Sequence, residues 1–122
     1  MSEIKNAVIE STSLGYEDHG ILTCNLHLNY GGSGQAFGGY SLDSPQKDKE
    51  GVFIGRFGTA YGMEFIKRIL KVVGVQSWEE LPGKHVRVDS SHICVDGIGN
   101  ILKENWFYPK EDLKVFAQEL MK

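Results

Sequence analysis

The chain has 122 residues and a formal net charge of −3. That is enough length for one domain with a real core, and too little positive charge for a nucleic-acid arm, because duplex binding needs several phosphate contacts at once. Hydrophobic residues make up 41% and charged residues 24%, a globular balance that excludes intrinsic disorder.

No stretch approaches the apolar length of a membrane span. The opening Met1-Ser2-Glu3-Ile4-Lys5 does not read as a signal peptide. Two cysteines, Cys24 and Cys94, are too few for a disulfide framework. The expectation is one domain, residues 1–122, cytoplasmic, with both thiols reduced.

Ala7 to Leu14 reads as a first strand. Ile21 to Tyr30 alternates cleanly: Leu22, Cys24, Leu26, Leu28 and Tyr30 on one side, Thr23, Asn25, His27 and Asn29 on the other. That is a strand with one buried and one polar face. Glu17-Asp18-His19-Gly20 between them is turn chemistry, so the two form a hairpin. Tyr30-Gly31-Gly32-Ser33-Gly34 is a second turn, and Gln35 to Leu42 a third strand weakened by Gly38 and Gly39. Ser44 to Gly51 is polar, charged and holds Pro45; it reads as a mobile loop.

The period then changes. Met63, Ile66, Ile69, Leu70 and Val73 recur at helical spacing, and Thr59 and Gly74 suit the two caps. Ser77-Trp78-Glu79-Glu80 has the form of a capping box, ended by Pro82-Gly83. Val86 and Val88 mark a strand, and Ile93 to Leu102 another. A final amphipathic helix begins at Pro109, with Glu111 and Asp112 in its first turn and Leu113, Phe116, Ala117 and Leu120 as its buried stripe. The order predicts an α+β fold: a mostly antiparallel sheet of about five or six strands, with one central and one C-terminal helix packed on it.

Catalytic motifs are absent. There is no Gly-x-Ser-x-Gly elbow, no cysteine in a nucleophile motif, and no pair of carboxylates at a fixed spacing. Glu17, Asp18 and His19 would need convergent partners to hold a metal, and no His or Cys stands at ligand spacing. The stretch from Gly31 to Tyr40 is the most unusual feature. It fails the dinucleotide fingerprint, because Phe37 stands where the third glycine belongs, and it lacks the Gly-Lys-Ser/Thr end of a P-loop. Two readings remain: backbone amides cradling an anion, or a hairpin turn followed by a bulged strand.

Arg56, flanked by glycines just before a helix, suits an anion as well as a plain surface position. Lys110 and Lys114 share a helix face that would either close on phosphates or be solvated. Trp106-Phe107-Tyr108 cannot all point inward, so one of them would serve as a ligand platform or dimer contact.

Three segments carry a resemblance: Glu17-Asp18-His19-Gly20-Ile21, Gly34-Gln35-Ala36-Phe37-Gly38-Gly39-Tyr40 with Leu42-Asp43, and Ser77-Trp78-Glu79-Glu80-Leu81-Pro82-Gly83-Lys84. Through them most of the chain resembles a group of small phage and prophage proteins, with the Gly-Gln-x-Phe-Gly-Gly-Tyr element as the specific part. Phage proteins of this size commonly counter host defence. In architecture the chain is similar to the anti-Thoeris sponge family, which sequesters a cyclic ADP-ribose signal. That resemblance implies an antiparallel sheet, C-terminal helices, assembly into a homodimer or higher homo-oligomer, and cationic and aromatic ligand contacts. Arg56 would match a phosphate-contacting arginine, while Lys110 and Lys114 stand where arginines are expected.

The resulting expectation is a non-enzymatic, phage-type accessory protein in the host cytoplasm. It would sequester a small phosphorylated nucleotide through Phe37, Gly38, Gly39, Arg56, Trp106, Lys110 and Lys114, with no cofactor, metal, membrane or non-specific nucleic-acid partner. The alternative is a protein–protein inhibitor of a host defence protein, docking through the polar sheet face. A third reading is an enzyme acting on a nucleotide.

Overall fold

The structure, a computed structural model, describes residues 3–91 and 94–116, with Glu17 and Asp18 described by their backbone alone. Three strands open the chain: β1 (Glu3–Asp18), β2 (Ile21–Tyr30) and β3 (Ser33–Ser41). They are joined by two-residue turns, His19-Gly20 and Gly31-Gly32, with positive φ at both positions of each. Such turns match the twist of the strands they join, and three of these four positions hold glycine, which adopts positive φ without strain. The alternation of β2 holds: Cys24, Leu26 and Leu28 are buried and His27 is exposed.

The segment expected to be a mobile loop is instead structured. β4 (Asp43–Lys47) and β5 (Phe53–Gly58) form a separate two-stranded antiparallel sheet. Its turn is organised by the Asp48 carboxylate, which accepts from the Glu50 and Val52 amides, each at 2.9 Å. Pro45 lacks an N–H, yet an edge strand can hold it.

α1 (Ala60–Val73) follows. Thr59 caps it, its hydroxyl accepting from the Gly62 amide at 2.9 Å, and Gly74 closes it with φ 88°. The buried stripe differs from the expected one. Tyr61, Gly62, Phe65, Ile69 and Val72 are buried, whereas Met63 is exposed. Gly62 explains the rotation: a Cβ there would lie 2.3 Å from the Leu42 carbonyl oxygen, so the helix rests its glycine face on the backbone after β3.

A short 3-10 turn, Trp78–Glu80, is capped as expected, Glu80 accepting from the Gln76 and Ser77 amides. β6 (His85–Ser90), β7 (Val95–Asn100) and β8 (Trp106–Phe107) complete the main sheet, whose antiparallel order is β3-β2-β1-β6-β7-β8. β8 was not expected, being only two residues long. α2 (Pro109–Asp112) is the described part of the expected last helix, with Leu113 buried after it; Ala117 and Leu120 lie outside the described residues.

The fold is thus α+β. β1 pairs with β6 through Glu3 to Val8 and with β2 from Val8 onward. The sheet is curled enough for β3 to contact β7, four places away in the strand order. Phe37, Phe65 and Phe107 fill the concavity, with ring centroids 5.7 to 6.2 Å apart.

Candidate functional site

Several of the residues expected to bind a ligand have structural contacts within the chain. Phe37 is fully buried against Phe65 and Phe107, so it offers no face to a ligand. Gly38 pairs with Asn25 at φ 126°, and Gly39, at φ 81°, forms with Tyr40 a bulge opposite Cys24. A Cβ at Gly38 would lie 2.4 Å from the Cys24 carbonyl oxygen, so the close approach that requires glycine is to β2.

Arg56 fastens the small sheet. Its Nε donates to Asp43 Oδ1 at 3.0 Å, and its Nη2 to Ser41 Oγ at 3.2 Å and the Asp43 carbonyl at 3.1 Å. The Asp43 side chain is almost fully buried.

Trp106 lies over Gly99 of β7, where any Cβ would meet its ring carbons at 2.7 Å, and the Arg87 guanidinium sits 4.9 Å from its ring centroid. It stacks on Tyr108, which covers Gly97 in the same way. These rings supply the side-chain cover that two strand glycines lack. Lys110 and Lys114 are exposed, and Lys114 lies 3.9 Å from Glu111.

Another set of residues lines one cavity. The start of β1, the end of β2, the start of β3 and the end of β6 enclose a cavity of about 300 Å³ lined by Glu3, Lys5, Tyr30, Ser33, Gly34, Gln35, Ser90 and Ser91. The curl of the sheet makes it, bringing Gln35 to the connection after β6, where its Nε2 donates to the Ser91 carbonyl at 3.3 Å. The Tyr30 hydroxyl donates to Gln35 Oε1, which fixes the amide orientation. Lys5 Nζ sits 5.2 Å from the Tyr30 ring centroid and 3.4 Å from Glu3 Oε2. The wall therefore offers one ammonium with its own carboxylate, a fixed amide and several hydroxyls.

Ser33, Gly34 and Gln35 fall in the glycine-rich stretch, while Lys5, Ser90 and Ser91 come from distant segments that no local pattern marks. Two larger clefts, of about 410 Å³ over Asn6, Val8, Asn29 and His85 and about 390 Å³ beside Lys67, Lys71 and Gly74, lie elsewhere on the surface. A smaller one, of about 140 Å³ between Arg68, Lys71, Asn105 and Trp106, falls well below the roughly 300 Å³ at which small-molecule sites begin.

Reactive chemistry is muted. Burial pushes the Cys24 thiol up to about 12, so it carries no thiolate near neutrality. Burial, followed by its hydrogen bond to Asp89, pushes the Tyr108 phenol up to about 12. Among the described residues no group of three His, Cys, Asp or Glu side chains could hold a metal, and no helix is long and apolar enough to cross a membrane. Comparison with protein-family models, curated proteins and solved structures finds no match to the chain.

Proposed function

We propose that this protein is a non-enzymatic binding protein that holds a small phosphorylated nucleotide in the polar cavity beside the Gly31-Gly32 turn. The observation that carries the reading is Lys5, an ammonium held over the Tyr30 ring at the wall of a roughly 300 Å³ cavity among Ser33, Gln35, Ser90 and Ser91. That volume is at the lower end for small-molecule sites, which suits one mononucleotide unit or the phosphoribose end of a larger signal.

Glu3 occupies Lys5 without a ligand. Both side chains are largely exposed, and exposed pairs of this kind contribute under about 1 kcal/mol. A phosphate, with more charge and three acceptor oxygens, exchanges for the carboxylate at little cost. Hydroxyls, an amide and a paired ammonium suit holding a ligand intact, which is what sequestering a signal requires. With the phage-protein resemblance, the role is an anti-defence accessory that lowers the free level of a nucleotide signal.

Thermal-shift and calorimetric titrations with AMP, cyclic ADP-ribose, inorganic phosphate and adenosine test it. Binding stabilises the native state by about 2.7 kcal/mol at a hundredfold excess over Kd. AMP or cyclic ADP-ribose is expected to stabilise the protein and to be recovered intact after denaturation, with adenosine inert. Converted ligand, or no shift with any phosphorylated probe, contradicts the reading.

A further inference from the structure

The main sheet forks where β1 passes from β6 to β2. Val8 pairs with His85 of β6 and with Asn29 of β2, and directly opposed residues share one face of a sheet. Ala7 and Ile9 are buried in the core, so Val8, and with it Asn6, stand on the outer face. Lys5 shares the inner face of Ala7 by the same alternation. The cleft of about 410 Å³ over the fork is thus walled by outer-face residues, and it shares only Tyr30 with the lining of the Lys5 cavity.

Glu10 completes the cleft. The β1–β2 register passes from Ile9 opposite Leu28 to Ser11 opposite His27, so Glu10 is the extra residue of a bulge. A bulge re-aims the side chain it carries, and here Asn29 Nδ2 donates to Glu10 Oε1. That bond leaves Glu10 Oε2 and Asn29 Oδ1 as neighbouring acceptors.

We propose that this cleft binds a neutral pyranose sugar, through hydroxyls on adjacent ring carbons that donate to the Glu10–Asn29 pair. This goes beyond the nucleotide reading and does not rest on it. Asn6 and His85 meet a further hydroxyl, and Ala7 and Val8 receive the C–H face of the ring. The volume lies within the range of small-molecule sites.

The lining argues against other ligands. It holds no Lys or Arg, so a phosphate finds no such cation there and meets the Glu10 carboxylate instead. One carboxylate is too few for a metal ion. A nucleobase needs a ring to stack on, and the ring of Tyr30 already has Lys5 over it.

Chemical-shift titration of the isotope-labelled full chain with the methyl glycosides of glucose, galactose and mannose tests this. Saturable shifts are expected at the amides of Val8, Asn29 and His85 with at least one of them, and none there with glycerol, inorganic phosphate or spermidine. Equal binding of lactose or maltose supports the end of a glycan as the source, and binding of the glycoside alone supports a free sugar. Glu10→Ala and Asn29→Ala are each expected to weaken binding roughly 10-fold, with unchanged far-UV circular dichroism because their hydrogen bond lies at the surface. If one of them loses its fold, the other and Asn6→Ala carry the same test. No saturable shift with any of the sugars, shifts that glycerol or spermidine reproduces, or an affinity unchanged in the variants overturns the proposal. Lys5→Gln is expected to leave sugar binding intact, so a failure of the nucleotide reading stays separate from a failure of this one.

Discussion

The polar cavity and the β4–β5 hairpin handle their surfaces in opposite ways. In the cavity, side chains answer one another: Lys5 meets Glu3 and Tyr30, and Gln35 bridges Tyr30 to Ser91. In the hairpin the polar pairing faces the body, through Arg56 and Asp43, while Val52, Phe53, Ile54 and Phe57 face solvent. A satisfied polar pocket can wait for a ligand with little penalty, because its partners are exchangeable. An apolar arm has no such internal substitute, and only covering it removes its surface from water. The proposed small-ligand site falls in the first of these regions, and the exposed apolar surface in the second.

The largest effect is expected where β3 rests against the backbone of β2. Gly38→Ala puts a Cβ against the Cys24 carbonyl oxygen at a positive φ, and strain with a backbone clash costs about 3 kcal/mol or more. Urea unfolding is expected to show that loss. A neutral Gly38→Ala would mean that the close approach of β3 to β2 is not the constraint described.

Arg56→Ala separates the regions. It leaves the buried Asp43 carboxylate without its cation, at a cost of about 2–4 kcal/mol. Stability is expected to fall and nucleotide affinity to stay within about twofold once the folded fraction is matched, since distant sites act independently. A proportionate loss of nucleotide affinity would return Arg56 to the binding site.

The smallest effect lies outside both regions. Burial and Asp89 hold the Tyr108 phenol up to about 12, above its ordinary value of 10. A raised acid stabilises the fold while it is neutral, fully so below pH 10, and that contribution is lost as pH rises from 10 toward 12. Tyr108→Phe is therefore expected to show a shallower alkaline fall in urea midpoint, with nucleotide binding unchanged near neutrality. Equal slopes for the two proteins would rule out this source of pH dependence.

Much of the frame was legible because its signals are local. The alternation of β2, the Thr59 and Gly74 caps and the Glu80 capping box each depend on residues within one turn or strand. The hairpin was hidden because Pro45, Lys47, Asp48 and Glu50 have loop composition. What holds the segment as a strand is an ion pair thirteen residues apart in sequence, Arg56 to Asp43. Met63 was misplaced because helical spacing fixes a period but not which face docks; the contact between Gly62 and Leu42 decides that. Of the cavity wall, Ser33, Gly34 and Gln35 lie in the glycine-rich stretch that stands out in the sequence, while Lys5 and Ser90 arrive only through the β1–β6 pairing.

The central claim is that Lys5 exchanges Glu3 for a phosphate. Calorimetric titration of AMP and cyclic ADP-ribose into the wild type, Glu3→Gln and Lys5→Gln tests it most directly. Removing the competing carboxylate is expected to tighten binding severalfold, and removing the ammonium to weaken it by about tenfold. Equal affinities in all three proteins, or tighter binding by Lys5→Gln, would contradict the account.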